Sequence, residues 1–434
     1  MLISFSVQNF RSYASRQTIS LVAGAGAKRE GQFSFPSGNA LAPHVLRAAC
    51  LFGPNGAGKT SLVQAFDFFK SFVVSSAKDK QEGEKIDVVP FKLDEKWRAQ
   101  PTEFEITFIH RDVLYQYGFA VDKERVWSEW LFSTPNAAGK VTRTRSRTLF
   151  QREYDKKKKA YAWDISKTYV QGQKELWKRT TRDNALFLST AIQLKAEVFK
   201  ESFDWIQNHL RVVDSPERLL PSFSIRQCDE EMGWKDEILS FLQAADIRVK
   251  DLNIDVRDFS HSDLPKDLPG PIRDEFKKKM MGGKVSHVYF SHEGANGELV
   301  PLELGEESDG TQVIFSIAGP WLDVLKNGYT LVIDELHNSL HPHALRFLVK
   351  LFLDPDINTT NAQLIFTSHE TSVMAKGLMH QDQVWLVEKD DKGSSKLVPL
   401  SDFKVRNVSA FQKAYLDGRY GAVPRLREFL DVQS

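Results

Sequence analysis

The sequence predicts an α/β fold on a largely parallel sheet, with antiparallel strands beside it and an inserted, mainly helical region. Three observations carry this. First, TLVIDE (330–335), AQLIFTSH (362–369) and QVWLVEKD (383–390) are short apolar runs without alternation, and the helical pattern HPHALRFLVKLFL (341–353) separates the first two. Strands apolar on both sides belong in a parallel sheet covered on both faces. Second, HVLRAACLFG (44–53) runs as a buried strand into a glycine-rich turn. It is followed by TSLVQAFDFFKSFVVSS (60–76), whose Leu62, Phe66, Phe69 and Val73 fall on one helical face. Third, TEFEITFIH (102–110), VLYQYGFAVD (113–122) and RVWSEWLF (125–132) read as successive antiparallel strands.

The remaining elements fit around these. LISFSV (2–7) alternates with a period of two, and TISLVAG (18–24) is a second strand. Residues 140–160 are strongly basic, 173–250 carry mostly helical patterns, and 256–286 mix charge with proline and glycine. KVSHVYFSH (284–292) resumes strand character, and residues 310–328 form a helix with a glycine stop. The expected division is an N-terminal lobe over 1–139, an inserted basic and helical arm or lid over 140–295, and a C-terminal lobe over 296–434. A chain of 434 residues exceeds one compact core, which agrees with several lobes.

Bulk composition excludes several classes. Hydrophobic residues make up 41% and charged residues 26%, and 58 basic against 57 acidic residues give a net charge of +1. A nucleic-acid surface would therefore be a local patch. The two cysteines, Cys50 and Cys228, have no metal-ligand pattern around them, which fits a reducing compartment. MLISFSVQNFRSY lacks the basic and apolar regions of a signal peptide. No apolar run approaches the ~18–20 residues that span a bilayer. The expectation is a soluble, cytoplasmic protein with no membrane partner.

The turn GPNGAGKT (53–60) matches the phosphate-binding pattern GxxxxGK[ST]. Gly53, Asn55, Gly56 and Gly58 let backbone N–H groups curl around a phosphate, and the following helix, opening at Lys59, Thr60 and Ser61, presents its positive end to the same anion. Lys59 would reach the β- and γ-phosphates of ATP, and Thr60 would give an oxygen to Mg²⁺. TLVIDE carries Asp334 to the carboxyl edge of the sheet, where ligands bind in open α/β folds. Asp334 would hold Mg²⁺ through water. Glu335 is placed as a general base for water attacking the γ-phosphate.

LGEESDGTQVIF (304–315) opens a helix. Its Ser308-Asp309-Gly310-Thr311-Gln312 resembles the signature motif of ABC-type ATPases. The resemblance implies that Ser308 and Gly310 form a second phosphate cradle, which meets a γ-phosphate held by another subunit. Ser339-Leu340-His341-Pro342 stands where that family has its dimer-contact loop. FTSHE places His369 as the γ-phosphate-sensing switch histidine, with Glu335, His369 and Lys59 as the catalytic set. NFRSY (9–13) before the glycine-rich loop resembles the RecF/SMC-like branch. Gln100 is the candidate for the glutamine that reaches Mg²⁺ and water in that family.

FKVRNVSAFQKAYLDGRYGAVPRLREFL (403–430) resembles the tail of bacterial AAA/ABC-like ATPases related to the OLD family. These include RloA-like proteins and the ATPase subunits of phage-defence systems, such as AriA of PARIS and PtuA of Septu. The resemblance implies a homodimer or higher even-numbered oligomer around ATP, a phage protein as trigger, and a separate effector encoded nearby, a Toprim or HNH nuclease. The nuclease domain that OLD relatives carry is not expected here. The DxD of Asp354 and Asp356 reads as a turn. Arg143, Arg145, Arg147 and the lysines at 156–159 could meet nucleic-acid phosphates, be solvated surface, or contact an acidic partner. The leading expectation is an ATPase acting as sensor or scaffold of an anti-phage complex. The alternative is a RecF-like repair ATPase that binds DNA itself.

Overall fold

The computed structural model describes residues 1–434 except 25, 28–30, 80, 136–144, 229–232, 260–283, 376, 404–410 and 424–434. The chain divides into two units. Unit 1 comprises Met1–Pro216, Val324–His337 and Leu345–Ser434, and unit 2 comprises Glu217–Asp323 and Asn338–Ala344. The strands in chain order are β1 (Leu2–Gln8), β2 (Gln17–Ser20), β3 (Ser34–Pro36), β4 (His44–Leu46), β5 (Ala48–Phe52), β6 (Thr102–His110), β7 (Val113–Val121), β8 (Val126–Pro135) and β9 (Arg147–Asp155). They continue with β10 (Ala160–Ile165), β11 (Leu210–Val213), β12 (Asp251–Asp258), β13 (Lys284–Glu293), β14 (Leu299–Glu303), β15 (Thr330–Ile333), β16 (Gln363–Thr367), β17 (Val384–Lys389) and β18 (Ser395–Pro399).

Unit 1 contains two large sheets. The first runs β10-β9-β8-β7-β6-β1-β2 and is antiparallel throughout. On β6, Phe104, Ile106 and Phe108 turn inward while Glu103, Glu105 and Thr107 are half-exposed, the two-residue alternation of a one-sided sheet. The second runs β11-β15-β16-β5-β17-β18, parallel except for the last strand. Every residue of β5, β15 and β16 is buried, as their largely apolar sequences without alternation require.

The helix Lys59–Ser75 packs into the core of unit 1. Phe66 stacks on Phe5 of the antiparallel sheet with ring centroids 3.9 Å apart, and Phe69 stacks on Phe119 at 5.4 Å. The same core takes in Leu51, Val332 and Ile365 of the parallel sheet. Truncating either phenylalanine to alanine costs roughly 3–5 kcal/mol on the usual scale for aromatic core residues.

The expected boundary at 139/140 falls inside unit 1. Residues 147–165 are the outer strands β9 and β10 of the antiparallel sheet, and β11, inside the span read as helical, joins the parallel sheet. The basic composition hid this because β9 buries an arginine. Arg152 and Glu129 of β8 are both fully buried, their ion pair is 2.9 Å long, and Arg152 Nη2 also donates to Ala185 O. Glu129 further accepts from the backbone N–H groups of Phe187 and Leu188 and from Tyr117 Oη. With its charge paired to Glu129 and a further bond to Ala185 O, Arg152 can stand on the inward face of a strand. Of the basic residues singled out, Arg143 lies outside the described residues. The lysines at 156–159 are exposed and occupy the turn between β9 and β10, where Asp155 Oδ1 accepts from two backbone N–H groups. Arg147 lies over the Tyr169 ring.

Unit 2 holds the rest of the inserted region, from Glu217 on, and among its described residues it is mixed rather than mainly helical. A β12-β13-β14 antiparallel sheet accompanies the helices Ser222–Gln227 and Lys235–Ala244. The helix Asp309–Asn327 contains Pro320, whose missing N–H leaves Ser316 O without its helical donor and whose ring opens the preceding turn. Ser224 compensates: its hydroxyl donates to Phe315 O and accepts from Gly319 N.

Candidate nucleotide-binding site

Parallel register builds the site. Ile333 pairs with Phe366, Thr367 with Leu51, and Leu386 with Phe52, so β15, β16 and β5 release their chains at one sheet edge. From that edge emerge Asp334 and Glu335, His369, and the glycine-rich loop. This is the edge where open α/β sheets bind ligands.

The loop's glycines are required by what surrounds them. A Cβ on Gly53 would stand 2.2 Å from Val387 O, and one on Gly58 would stand 2.3 Å from Ser395 Oγ and 2.7 Å from Ser12 Oγ. Gly58 also has φ 116°, open to glycine alone. As N-cap of the 17-residue helix it offers no side chain, so the first-turn N–H groups have no side-chain cap. Tyr13 Oη donates to Gly58 O at 2.9 Å, and Ser395 Oγ donates to Ala57 O. Tyr13 is fully buried. The NFRSY segment thus holds the loop from behind through its tyrosine, while Arg11 contributes a backbone N–H to Val89 O.

Lys59 is buried and its Nζ donates to Gly53 O at 2.8 Å and Pro54 O at 3.2 Å. Burial lowers its pKa, while Asp334 and Glu335 oppose the shift. Asn55 and Gly56 are exposed at the loop tip, Thr60 is exposed on the first helical turn, and Ser61 is half-buried.

Asp334 is buried and its backbone N–H donates to Val213 O. Thr367, at the end of β16, links the acidic pair: its hydroxyl donates to Asp334 Oδ1 and accepts from Glu335 N at 2.8 Å. Glu335 has φ 48°, a conformation that non-glycine residues adopt at a cost of about 1–3 kcal/mol and that concentrates at functional sites. His337 and His369 meet edge to face with ring centroids 5.4 Å apart. Burial holds both imidazoles below their usual pKa, with Lys59 adding to the shift and Glu335 opposing it.

Lys59, Asp334, Glu335 and His369, all singled out in the sequence, are thus within one electrostatic neighbourhood of unit 1. Ser308 and Gly310 lie in unit 2. There Ser308 Oγ accepts from Thr311 N at 3.2 Å, and a Cβ on Gly310 would lie 3.7 Å from Ser339 O, so the signature segment and the Ser339 loop are neighbours. Gln100 follows the short helix Glu95–Arg98, and its carbonyl accepts from Asn9 Nδ2 at 2.7 Å. Thr367, Tyr13, Ser395 and His337 were not singled out as site residues. Thr367 and His337 each stand two residues from a residue that was.

The donor set fits a magnesium nucleotide. An uncapped helix start and a loop with glycine at 53, 56 and 58 leave room and N–H groups for phosphate oxygens. A hydroxyl and a carboxylate, Thr60 and Asp334, are the oxygen ligands that Mg²⁺ prefers.

Residues 48–375 match the model of the family described as AAA domain, putative AbiEii toxin, Type IV TA system. No curated protein matches. Among solved structures, the chain is similar to an SMC head bound to the C-terminal winged-helix domain of ScpA, at 12% identity over 92% of this chain and 96% of that one, with a TM-score of 0.45. It is also similar to the SMC head domain from Thermotoga maritima, at 12% identity over 92% and 98%, with a TM-score of 0.40. The family match spans more than half of the chain and takes in the glycine-rich loop, the acidic pair and His369, and this protein belongs to that AAA domain family.

Proposed function

We propose that the protein is an ABC-type ATPase that pairs with a second copy around ATP and serves as the sensor or scaffold subunit of an anti-phage complex controlling a separate effector nuclease. The observation that carries the ATPase reading is the gathering of Lys59, Asp334, Glu335 and His369 at the edge that releases the glycine-rich loop. Loop N–H groups and Lys59 bind the phosphates. Thr60 and Asp334 hold Mg²⁺, which when bound neutralises phosphate charge. Glu335, fixed through its backbone by Thr367, accepts the proton of the attacking water. His369, whose imidazole burial keeps below its usual pKa, would donate a hydrogen bond to the γ-phosphate. Ser308 and Gly310 are assigned to the γ-phosphate held by the other copy.

The defence role rests on the tail and motif resemblance and on the family description, which names a toxin and a toxin–antitoxin system. Phosphate release and molar mass, measured for wild type and Glu335→Gln with and without ATP-Mg²⁺, test the enzymatic part. Loss of turnover with ATP-dependent pairing supports it; turnover that survives the substitution refutes it. Phage plating on cells carrying the gene and its neighbours, with wild type or Lys59→Ala, tests the defence part. Equal plating, together with a salt-dependent affinity of the purified protein for DNA, would favour the repair reading instead.

A further inference from the structure

Away from the nucleotide, unit 1 contains a second cluster that the proposed reaction does not use. His110 ends β6, and His209 ends a π-helical turn, Trp205–His209, just before β11. Asp204 closes the helix Lys200–Asp204 immediately upstream. In an α-helix, residues five apart point to different faces. The π turn changes this: Leu210 N bonds Trp205 O, an i→i+5 contact, and the wider winding brings His209 back beside Asp204.

We infer that His110 Nε2, Asp204 Oδ2 and His209 Nδ1 form a binding site for a divalent transition metal, with Zn²⁺ the best match. One ligand atom from each of the three residues lies within 4.8 Å of the others. His110 Nε2 and His209 Nδ1 stand 3.9 and 3.8 Å from Asp204 Oδ2. Ligand atoms on one tetrahedral zinc are roughly 3.3 Å apart, so side-chain movements of about half an ångström close most of the gap. Both imidazole nitrogens are buried without a hydrogen-bond partner. Glu201 Oε2 is 3.2 Å from His110 Nε2 but out of line for a hydrogen bond, and its other oxygen pairs with Arg111.

Two buried ring nitrogens that face one carboxylate without a well-aligned side-chain hydrogen bond are a costly arrangement, which a cation between them would relieve. Asn208 Nδ2 donates to Asp204 Oδ1, which leaves Oδ2 turned toward the rings. Such an outer partner is typical of metal-ligating groups. Two imidazoles and a carboxylate suit zinc, whereas Mg²⁺ and Ca²⁺ prefer oxygen alone. The ion would tie the β6–β7 turn of the antiparallel sheet to the entry of β11 in the parallel sheet.

The test uses tag-free, chelator-treated protein in Mg²⁺ buffer, titrated with Co²⁺ and then Zn²⁺. Wild type is expected to bind one more Co²⁺ per chain than His110→Gln or Asp204→Asn, with visible d–d absorption that Zn²⁺ displaces. Zinc affinity should drop about 100-fold in either variant, and zinc should raise the melting temperature of wild type alone. Circular dichroism and ATP binding verify that each variant is folded. Should one not fold, His209→Gln replaces it. Equal Co²⁺ stoichiometry and equal zinc affinity in folded wild type and variant would overturn the assignment. Metal bound only at other histidines gives that same result.

Discussion

The hydroxyl of Thr367 donates to Asp334 Oδ1 across adjacent parallel strands, and it also receives the backbone N–H of Glu335. One threonine thus orients the carboxylate assigned to magnesium and fixes the backbone that carries the assigned base. Thr367→Val keeps the shape and removes both bonds. It should lower kcat about tenfold and stability by about 1–3 kcal/mol, because Asp334 is buried. Thr367→Ser should restore most of both. Steady-state kinetics with a thermal melt checks this, and an unchanged kcat in the valine variant would remove Thr367 from the site.

Glu335→Gln should reduce turnover by at least about 10²-fold while ATP still binds, the range expected for loss of a general base. Glu335→Gly should do the same and also raise the melting temperature, because glycine accepts φ 48° without strain. Phosphate-release assays beside calorimetry separate the two effects. A glycine variant that melts lower than wild type would show that the backbone there is not strained.

The loop glycines should differ in their tolerance of a methyl group. Gly53→Ala drives a Cβ onto the Val387 carbonyl, and this backbone cannot yield. Gly56→Ala meets nothing within 4 Å, though its φ of 72° still disfavours alanine by about 1 kcal/mol. Nucleotide titration should show binding lost in Gly53→Ala and weakened a few-fold in Gly56→Ala. Equal losses would argue against steric control of the loop.

Lys70, on the helix that begins at Lys59, donates to Leu210 O at 2.6 Å, and its pKa falls to about 8, chiefly through burial and then through Arg211. Its folded pKa lies below its unfolded value, so the unfolded state binds more protons between about pH 8 and 10.5. Stability from this group therefore rises with pH through that window. Relative to Lys70→Met, wild type should gain melting temperature between pH 8 and 10. A constant difference across those values would show that Lys70 titrates normally.

Arg152→Met should destabilise unit 1 by about 3–5 kcal/mol, since it leaves Glu129 charged, buried and without its ion partner. The double variant Arg152→Met, Glu129→Gln should recover part of the loss. Chemical denaturation of the two proteins gives the comparison.

Much of the site was legible in the chain because local covalent order creates it. A strand, a glycine-rich turn and an uncapped helix are consecutive in residues 48–75, and two carboxylates follow directly on a buried strand. Periodicity located β6 as 102–110 and β16 within 362–369 because β6 alternates in its exposure and β16 is buried throughout. The same method misread β9, where burial of Arg152 depends on Glu129 some twenty positions away, and it missed β11, four residues long inside a helical stretch.

The sequence by itself determined the glycine loop, the identities of Lys59, Asp334, Glu335 and His369, and the apolar strands that carry them. These follow from neighbouring residues and from the short periods of strand and helix. Tertiary structure alone decided that Tyr13 and Ser395 brace the loop, that Thr367 joins the acidic pair, that His337 faces His369, and that His110 meets His209. Each of these contacts is set by strand register or by an irregular turn. Such contacts depend on how distant segments pair in three dimensions, and no periodicity along the chain encodes that.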